Sequence, residues 1–157
     1  MKIEIGGHKH DDWLSLNIDK EWDKGPDIIA DAFERLPFAD GSLDEISACH
    51  IIEHAGWDRI PDILKDWGRT IKSGGYITIK CPDFEYHVKR YTANHHMLYE
   101  PGGLMYGLYG QQDLPSMRHR AALDKYWLGI FLSQAGFVDL QWNDSNKWEL
   151  NVRGKKS

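Results

Sequence analysis

Cysteine is scarce in this chain. Cys49 and Cys81 are the only two in 157 residues, and both follow strand-like runs. That is too few for a disulfide framework, so they read as reduced thiols in a cytosolic protein. Long apolar runs are also missing. No segment reaches the ~18 consecutive apolar residues that a membrane-spanning helix needs, and no signal or transit sequence precedes the strand-like residues 2–5. Excess basic charge is absent: the formal net charge is -5 and the pI near 5.9. Nucleic-acid binding normally rests on a basic face, so no nucleic-acid partner is expected. The one basic cluster, Arg153, Lys155 and Lys156, reads as a solvated tail. Repeats, low-complexity tracts and linkers are lacking, which leaves a single domain over 1–157. A full G-x-G-x-x-G fingerprint and a P-loop are lacking as well. The Gly6-Gly7 pair runs into His8, Lys9, His10, Asp11 and Asp12, which argues against a pyrophosphate-binding oxidoreductase or a nucleotide triphosphatase.

What is present is an alternation of strand and helix patterns. Residues 2–5 and 13–19 alternate apolar and polar residues, and 27–31 reads as a short third strand ending in Asp31. An apolar plug, Leu36-Pro37-Phe38, and a turn at 39–42 lead into a buried strand over 43–49. Ile60, Ile63, Leu64, Trp67 and Ile71 fall on one helical face with Pro61 in the first turn, and Ser73-Gly74-Gly75 is the expected stop. A strand follows over 76–81, then a short helix capped by Asp83 with Phe84, Val88 and Tyr91 inward. Residues 94–120 lose all periodicity, and a long irregular stretch in a compact domain is usually functional. A helix after Asp124 turns Trp127, Leu128, Phe131, Leu132 and Ala135 inward. Two alternating strands, around 138–142 and 148–152, close the chain as a hairpin. The order implies an α/β fold with a mostly parallel sheet and an antiparallel end.

Chemistry-bearing residues gather after strand 43–49, where open α/β sheets keep their ligands. His50-Ile51-Ile52-Glu53-His54 fits the H-x-x-E-H pattern of inverted zinc peptidases. That mechanism needs the motif on a helix and a third ligand. Here it leaves a buried strand directly and Gly56 follows, so a zinc hydrolase is a remote alternative and no metal is expected.

An ordered set of segments resembles the class I S-adenosylmethionine-dependent methyltransferases. It comprises Ile3-Glu4-Ile5-Gly6-Gly7, Leu16-Asn17-Ile18-Asp19, Asp31-Ala32-Phe33, residues 36–46 (Leu-Pro-Phe-Ala-Asp-Gly-Ser-Leu-Asp-Glu-Ile), His50-Ile51-Ile52-Glu53-His54, and residues 64–71 followed by Lys72-Ser73-Gly74-Gly75. Pro82-Asp83-Phe84-Glu85, Tyr109-Gly110-Gln111, His119-Arg120 and Ala135-Gly136-Phe137 follow in order. The similarity is greatest to small type 11-like methyltransferases with a loop joining strands 1 and 2. It implies a Rossmann-like three-layer sandwich, its seven-stranded sheet ordered 3-2-1-4-5-7-6, in a minimal form without N-terminal helices. It also implies S-adenosyl-L-methionine as cofactor. By that resemblance Glu4, Gly6 and Gly7 lie beside the methionine part, Asp19 takes the ribose hydroxyls, Asp31 with Ala32 lies by the adenine, Phe33 is a further cofactor-binding residue, and Cys49 and His50 face the sulfonium.

The residue chemistry is compatible. Strand-end carboxylates suit a ribose diol, which donates two hydrogen bonds that an ionised acid accepts together. Ordinary turn or cap roles remain the other reading of Asp19 and Asp31, and a solvated edge position that of Glu4. Methyl transfer rests mainly on positioning and needs a base only for a hydroxyl or protonated nitrogen. His50 and His119 are the catalytic candidates. His54, Tyr106, Tyr109, Gln111, His119 and Arg120 are candidates for contacts to a small-molecule acceptor. A non-catalytic module that binds S-adenosylmethionine or S-adenosylhomocysteine is the rival from another class. The missing helix between strands 1 and 2 predicts an exposed apolar patch, which favours a homo-oligomer.

Overall fold

A computed structural model describes residues 1–6, 13–17 and 27–157. The alternating segments form one sheet: β1 (Lys2–Ile5), β2 (Leu14–Asn17), β3 (Ile28–Ile29), β4 (Leu43–Cys49), β5 (Ile71–Pro82), β6 (Phe137–Trp142) and β7 (Glu149–Lys156). Their spatial order is β3-β2-β1-β4-β5-β7-β6. β1 to β5 pair in parallel, and β7 runs antiparallel to both β5 and β6. This is the expected mixed α/β sheet with an antiparallel end. The few residues between β1 and β2 do not turn them into a hairpin, since Ile3 pairs with Leu14 and Ile5 with Leu16 in parallel register.

Period-two alternation gives the sheet two unlike faces. On one face Ile3, Ile46 and Ile77 lie side by side, then Ile5, Ala48, Ile79 and Val152, then Cys81 and Leu150. None of these is more than 5 % exposed. α1 (Ile60–Thr70) and α4 (Lys125–Gln134) pack together over this face. Ile60, Ile63, Leu64 and Trp67 of α1 are buried at the expected helical spacing. Asp124 caps α4 by accepting from the Trp127 backbone N–H at 2.8 Å, and Leu128 and Leu132 are fully buried. Trp127 is 51 % exposed instead of inward. Sitting one residue before Leu128, it lies about 100° around the helix from the buried stripe and rests against Phe131, which is itself partly buried on the core.

The second face is ionic. Lys2, Glu45, Tyr76 and Lys155 form one cross-strand row, and Glu4, Ser47, Thr78 and Arg153 the next. Glu45 pairs with Lys2 and with Arg153, each at 3.2 Å, and the Arg153 guanidinium lies 3.8 Å from the Tyr76 ring centroid. The basic cluster is therefore part of β7 rather than a tail. Among the described residues this face carries charge instead of the expected apolar patch. The third layer of the expected sandwich would cover this face. The connections after β1 and β2, from which such a layer would come, lie outside the described residues.

Two further boundaries differ from the sequence reading. α1 ends at Thr70, and Ile71 already belongs to β5. The pairing shifts from Leu43 with Ile71 to Glu45 with Tyr76, so 72–75 bulge out of the ladder, and Gly74 (φ +79) serves that bulge rather than a helix stop. In α2 (Phe84–Ala93) the buried residue is His87, while Phe84 is exposed. Residues 94–120 hold 3-10 turns at His95–Leu98 and Pro115–Met117 and a short α3 (Leu104–Tyr109). Among the described residues no helix is long and apolar enough to cross a membrane.

Candidate functional site

The carboxyl ends of β1 and β4 meet at Gly6. A Cβ there would stand 2.7 Å from Ile51 Cβ and 3.0 Å from the Cys49 carbonyl, and φ is +77, so only glycine fits. Glu4, one turn of the pleat earlier, is buried on the ionic face. Gly7 and Asp19 lie outside the described residues.

The loop after β3 is fixed to α1. Trp67 Nε1 donates to the Ala32 carbonyl at 2.9 Å, and both residues are fully buried. Arg59 donates to the Phe33 carbonyl at 2.8 Å, Asp66 accepts from the Leu36 N–H at 2.7 Å, and Arg69 holds the Leu36 and Phe38 carbonyls at 3.2 and 2.8 Å. Asp31 is exposed and accepts from the Phe33 N–H through Oδ1 at 2.8 Å, a turn role. Leu36 is buried and Phe38 packs on the core, whereas Pro37 of the apolar plug is exposed.

At the end of β4, Cys49 is half-buried and burial pushes its thiol up. His50 takes a left-handed backbone (φ 50). Its ring lies 3.1 Å from Glu149 through Nε2 and 3.3 Å from Glu53 through Nδ1, and stacks on Trp148 with centroids 5.4 Å apart. The Glu53 carboxylate, helped by Glu149 and opposed by burial, holds the His50 imidazole above its ordinary value. Both ring nitrogens of His50 are thus occupied by carboxylates, Nδ1 by Glu53 and Nε2 by Glu149.

The next turn, Ile52–His54, is a 3-10 helix that cannot present His50 and His54 on one α-helical face, so the inverted-peptidase geometry is not formed. Instead the chain near His119 joins it. The Arg120 and Ala121 N–H groups both donate to the Glu53 carbonyl, at 2.8 and 3.1 Å. His119 meets His54 edge-on with centroids 5.1 Å apart. Burial holds the His119 imidazole below its ordinary value, partly offset by its 2.9 Å hydrogen bond to the Gly107 carbonyl.

Beside this cluster is a cavity of ≈ 270 Å³ lined by Tyr86, His87, Arg90, Tyr106, Gly107 and Trp148 among others. Of the expected acceptor contacts it contains Tyr106. Tyr109, Gln111 and Arg120 are exposed and do not line it. Glu149, Trp148, His87 and Arg90 were missed by sequence reasoning. The first two come to His50 through the pairing of Pro82 with Glu149 in the β5–β7 ladder, for which no local motif exists.

A family model described as a methyltransferase domain matches residues 12–79. No curated protein matches the sequence. Among solved structures, a SAM-dependent methyltransferase from Archaeoglobus fulgidus is similar at TM-score 0.67 and 18% identity, over 99% of this chain and 85% of that one. One from Methanosarcina mazei gives TM-score 0.62 and 13% identity, over 99% and 91%. Human N-acetylserotonin methyltransferase, solved with SAM, gives TM-score 0.59 and 17% identity, over 92% of this chain and 41% of that one. With the methyltransferase-domain segment spanning β2 to β5 and the shared architecture spanning nearly everything described, the chain is recognisable as one with the class I S-adenosylmethionine-dependent methyltransferase fold.

Proposed function

We propose that this chain transfers a methyl group from S-adenosylmethionine to a small-molecule acceptor. The observation that carries the reading is the close packing of the Gly6 turn on Cys49 and Ile51, beside His50, at the carboxyl ends of the neighbouring parallel strands β1 and β4, the usual ligand position in such sheets. The donor set fits. Glu4 suits the ammonium group of the ligand's methionine part, Asp31 belongs to the side expected for the adenine, and the turn at Gly6 admits no side chain. When bound, that cofactor supplies an electrophilic methyl on a sulfonium. Transfer forms a bond from an acceptor lone pair to the methyl carbon while the methyl–sulfur pair stays on sulfur, and any proton on the acceptor leaves to a base.

In this reading the His50 ring, with each nitrogen facing a carboxylate, is a fixed wall rather than the base. Glu53, Glu149 and Trp148 immobilise it, and most of the acceleration comes from holding the acceptor in line. The cavity bounded by Trp148, Tyr86 and Tyr106 takes the acceptor, with Arg90 and His87 as its polar groups. His119, whose Nδ1 is committed to the Gly107 carbonyl, keeps an Nε2 lone pair to receive a proton. The occupation of both His50 nitrogens by carboxylates also suits a non-catalytic binding module. Calorimetry with S-adenosylmethionine and S-adenosylhomocysteine tests the reading. Micromolar binding of both, weakened by Asp31→Ala, is expected, and no binding of either overturns it. Turnover across hydroxyl, amine and thiol acceptors separates the enzyme from the module.

A further inference from the structure

We infer that Glu53, His54 and His119 form a binding site for a divalent first-row transition-metal ion, Zn²⁺ by its donor set. One ligand atom from each lies within 4.8 Å of the others. Glu53 is 3 % exposed, and neither carboxylate oxygen has a hydrogen-bond partner. His50 Nδ1 stands 3.3 Å from one oxygen, close to it but without a formed hydrogen bond. A buried carboxylate so weakly satisfied is costly unless a cation completes it.

The two histidines are prepared for ligation. His54 Nδ1 lies 3.1 Å from the Arg118 carbonyl and His119 Nδ1 lies 2.9 Å from the Gly107 carbonyl. A carbonyl only accepts, so each Nδ1 carries the proton and each Nε2 is left with its lone pair. Main-chain carbonyls holding the far nitrogen of a ligating histidine are a recurring feature of metal sites. The two segments cannot drift apart, because the Arg120 and Ala121 N–H groups are anchored on the Glu53 carbonyl.

Two imidazoles and one carboxylate favour Zn²⁺ and its transition-metal neighbours over Mg²⁺ or Ca²⁺. Three protein ligands leave a coordination position open, the pattern of reactive rather than structural sites. Gly107, whose carbonyl fixes His119, also lines the cavity, so the cluster adjoins the cavity at that residue. Resting on the methyltransferase reading, the ion would hold a hydroxyl oxygen of the acceptor and lower its pKa, the proton leaving to solvent water because His119 Nε2 would be committed to the metal instead of acting as the base.

The test is calorimetric titration of chelator-stripped protein with Zn²⁺, and visible spectroscopy with Co²⁺. The variants are His54→Ala and His119→Ala, with exposed His96→Ala as control, each checked for folding by circular dichroism. Expected are one equivalent bound, a loss of at least about 100-fold in both cluster variants, and none in His96→Ala. Acetohydroxamate, a bidentate oxygen donor, should alter the Co²⁺ spectrum; an unchanged spectrum overturns the open position. Failure of the wild type to bind, or unaltered binding by the two cluster variants, overturns the site. S-adenosylhomocysteine is titrated separately. If it binds and Zn²⁺ does not, the metal inference alone falls; if Zn²⁺ binds and the nucleoside does not, the methyltransferase reading falls and the metal site stands.

Discussion

Gly6→Ala probes the seam on which the site is built. Two penalties act there. The left-handed backbone at φ +77 costs an alanine about 1–2 kcal/mol. The new Cβ would stand 2.7 Å from Ile51 Cβ, far inside van der Waals contact, and over-packing of this kind adds roughly 1–3 kcal/mol. The sum is about 2–5 kcal/mol, or on the order of 4–20 °C in Tm for a domain of this size. Gly74→Ala is the matched control. Its φ is +79, yet nothing lies within 4 Å of its Cβ position, so it carries the backbone penalty alone, about 1–2 kcal/mol. The loss of unfolded-chain freedom on replacing glycine is common to both variants and cancels in the comparison. Urea unfolding with unchanged m-values should place Gly6→Ala below Gly74→Ala by roughly 1–3 kcal/mol. Gly6→Ala should also weaken S-adenosylhomocysteine, which Gly74→Ala leaves alone. Equal losses, within about 0.5 kcal/mol, would show that Ile51 does not press on the Gly6 turn.

Trp67→Phe removes the hydrogen bond to the Ala32 carbonyl and leaves that buried oxygen and a small void behind. A loss of about 2–4 kcal/mol in urea unfolding is expected, with weaker nucleoside binding; a change under about 1 kcal/mol would refute it. Asp44 sits between Lys72 and the N-terminal ammonium, which hold its carboxyl down at about 2, with Lys72 the larger influence. Because the folded value is depressed, its contribution is present above the ordinary carboxylate range and disappears as pH falls to about 2. The stability gap between wild type and Asp44→Asn should therefore be constant near neutrality and close on acidification. A gap unchanged at pH 2 would contradict the pairing.

The strand and helix pattern was legible because period-two and period-3.6 burial repeats along the chain: Leu43–Cys49 is the strand expected, and Ile60, Ile63, Leu64 and Trp67 point inward as spaced. Trp127 and Phe84 misled because aromatic character marks burial poorly when it falls off the stripe. The half of the site made by local sequence, Gly6, Ala32 and Cys49-His50, could be read from strand ends. Glu149 and Trp148 could not, since they reach His50 only through the β5–β7 register. His54 and His119 were both visible as histidines, but their meeting depends on two backbone hydrogen bonds to Glu53 that no spacing encodes.

The position of β7 has a consequence for the order of assembly. It follows both β5 and β6 in the chain yet lies between them in the sheet. During synthesis, at roughly 5–20 residues per second, β5 must wait for residues 83–148 to appear before its second edge is paired. Ile77, Ile79 and Cys81 lie along that strand, so a nascent chain stalled before Glu149 presents an apolar edge for other chains to pair with. The same late strand delivers Glu149 to His50 and Arg153 to Glu45. Closing the sheet and completing the His50 surroundings are thus a single event in the life of the chain.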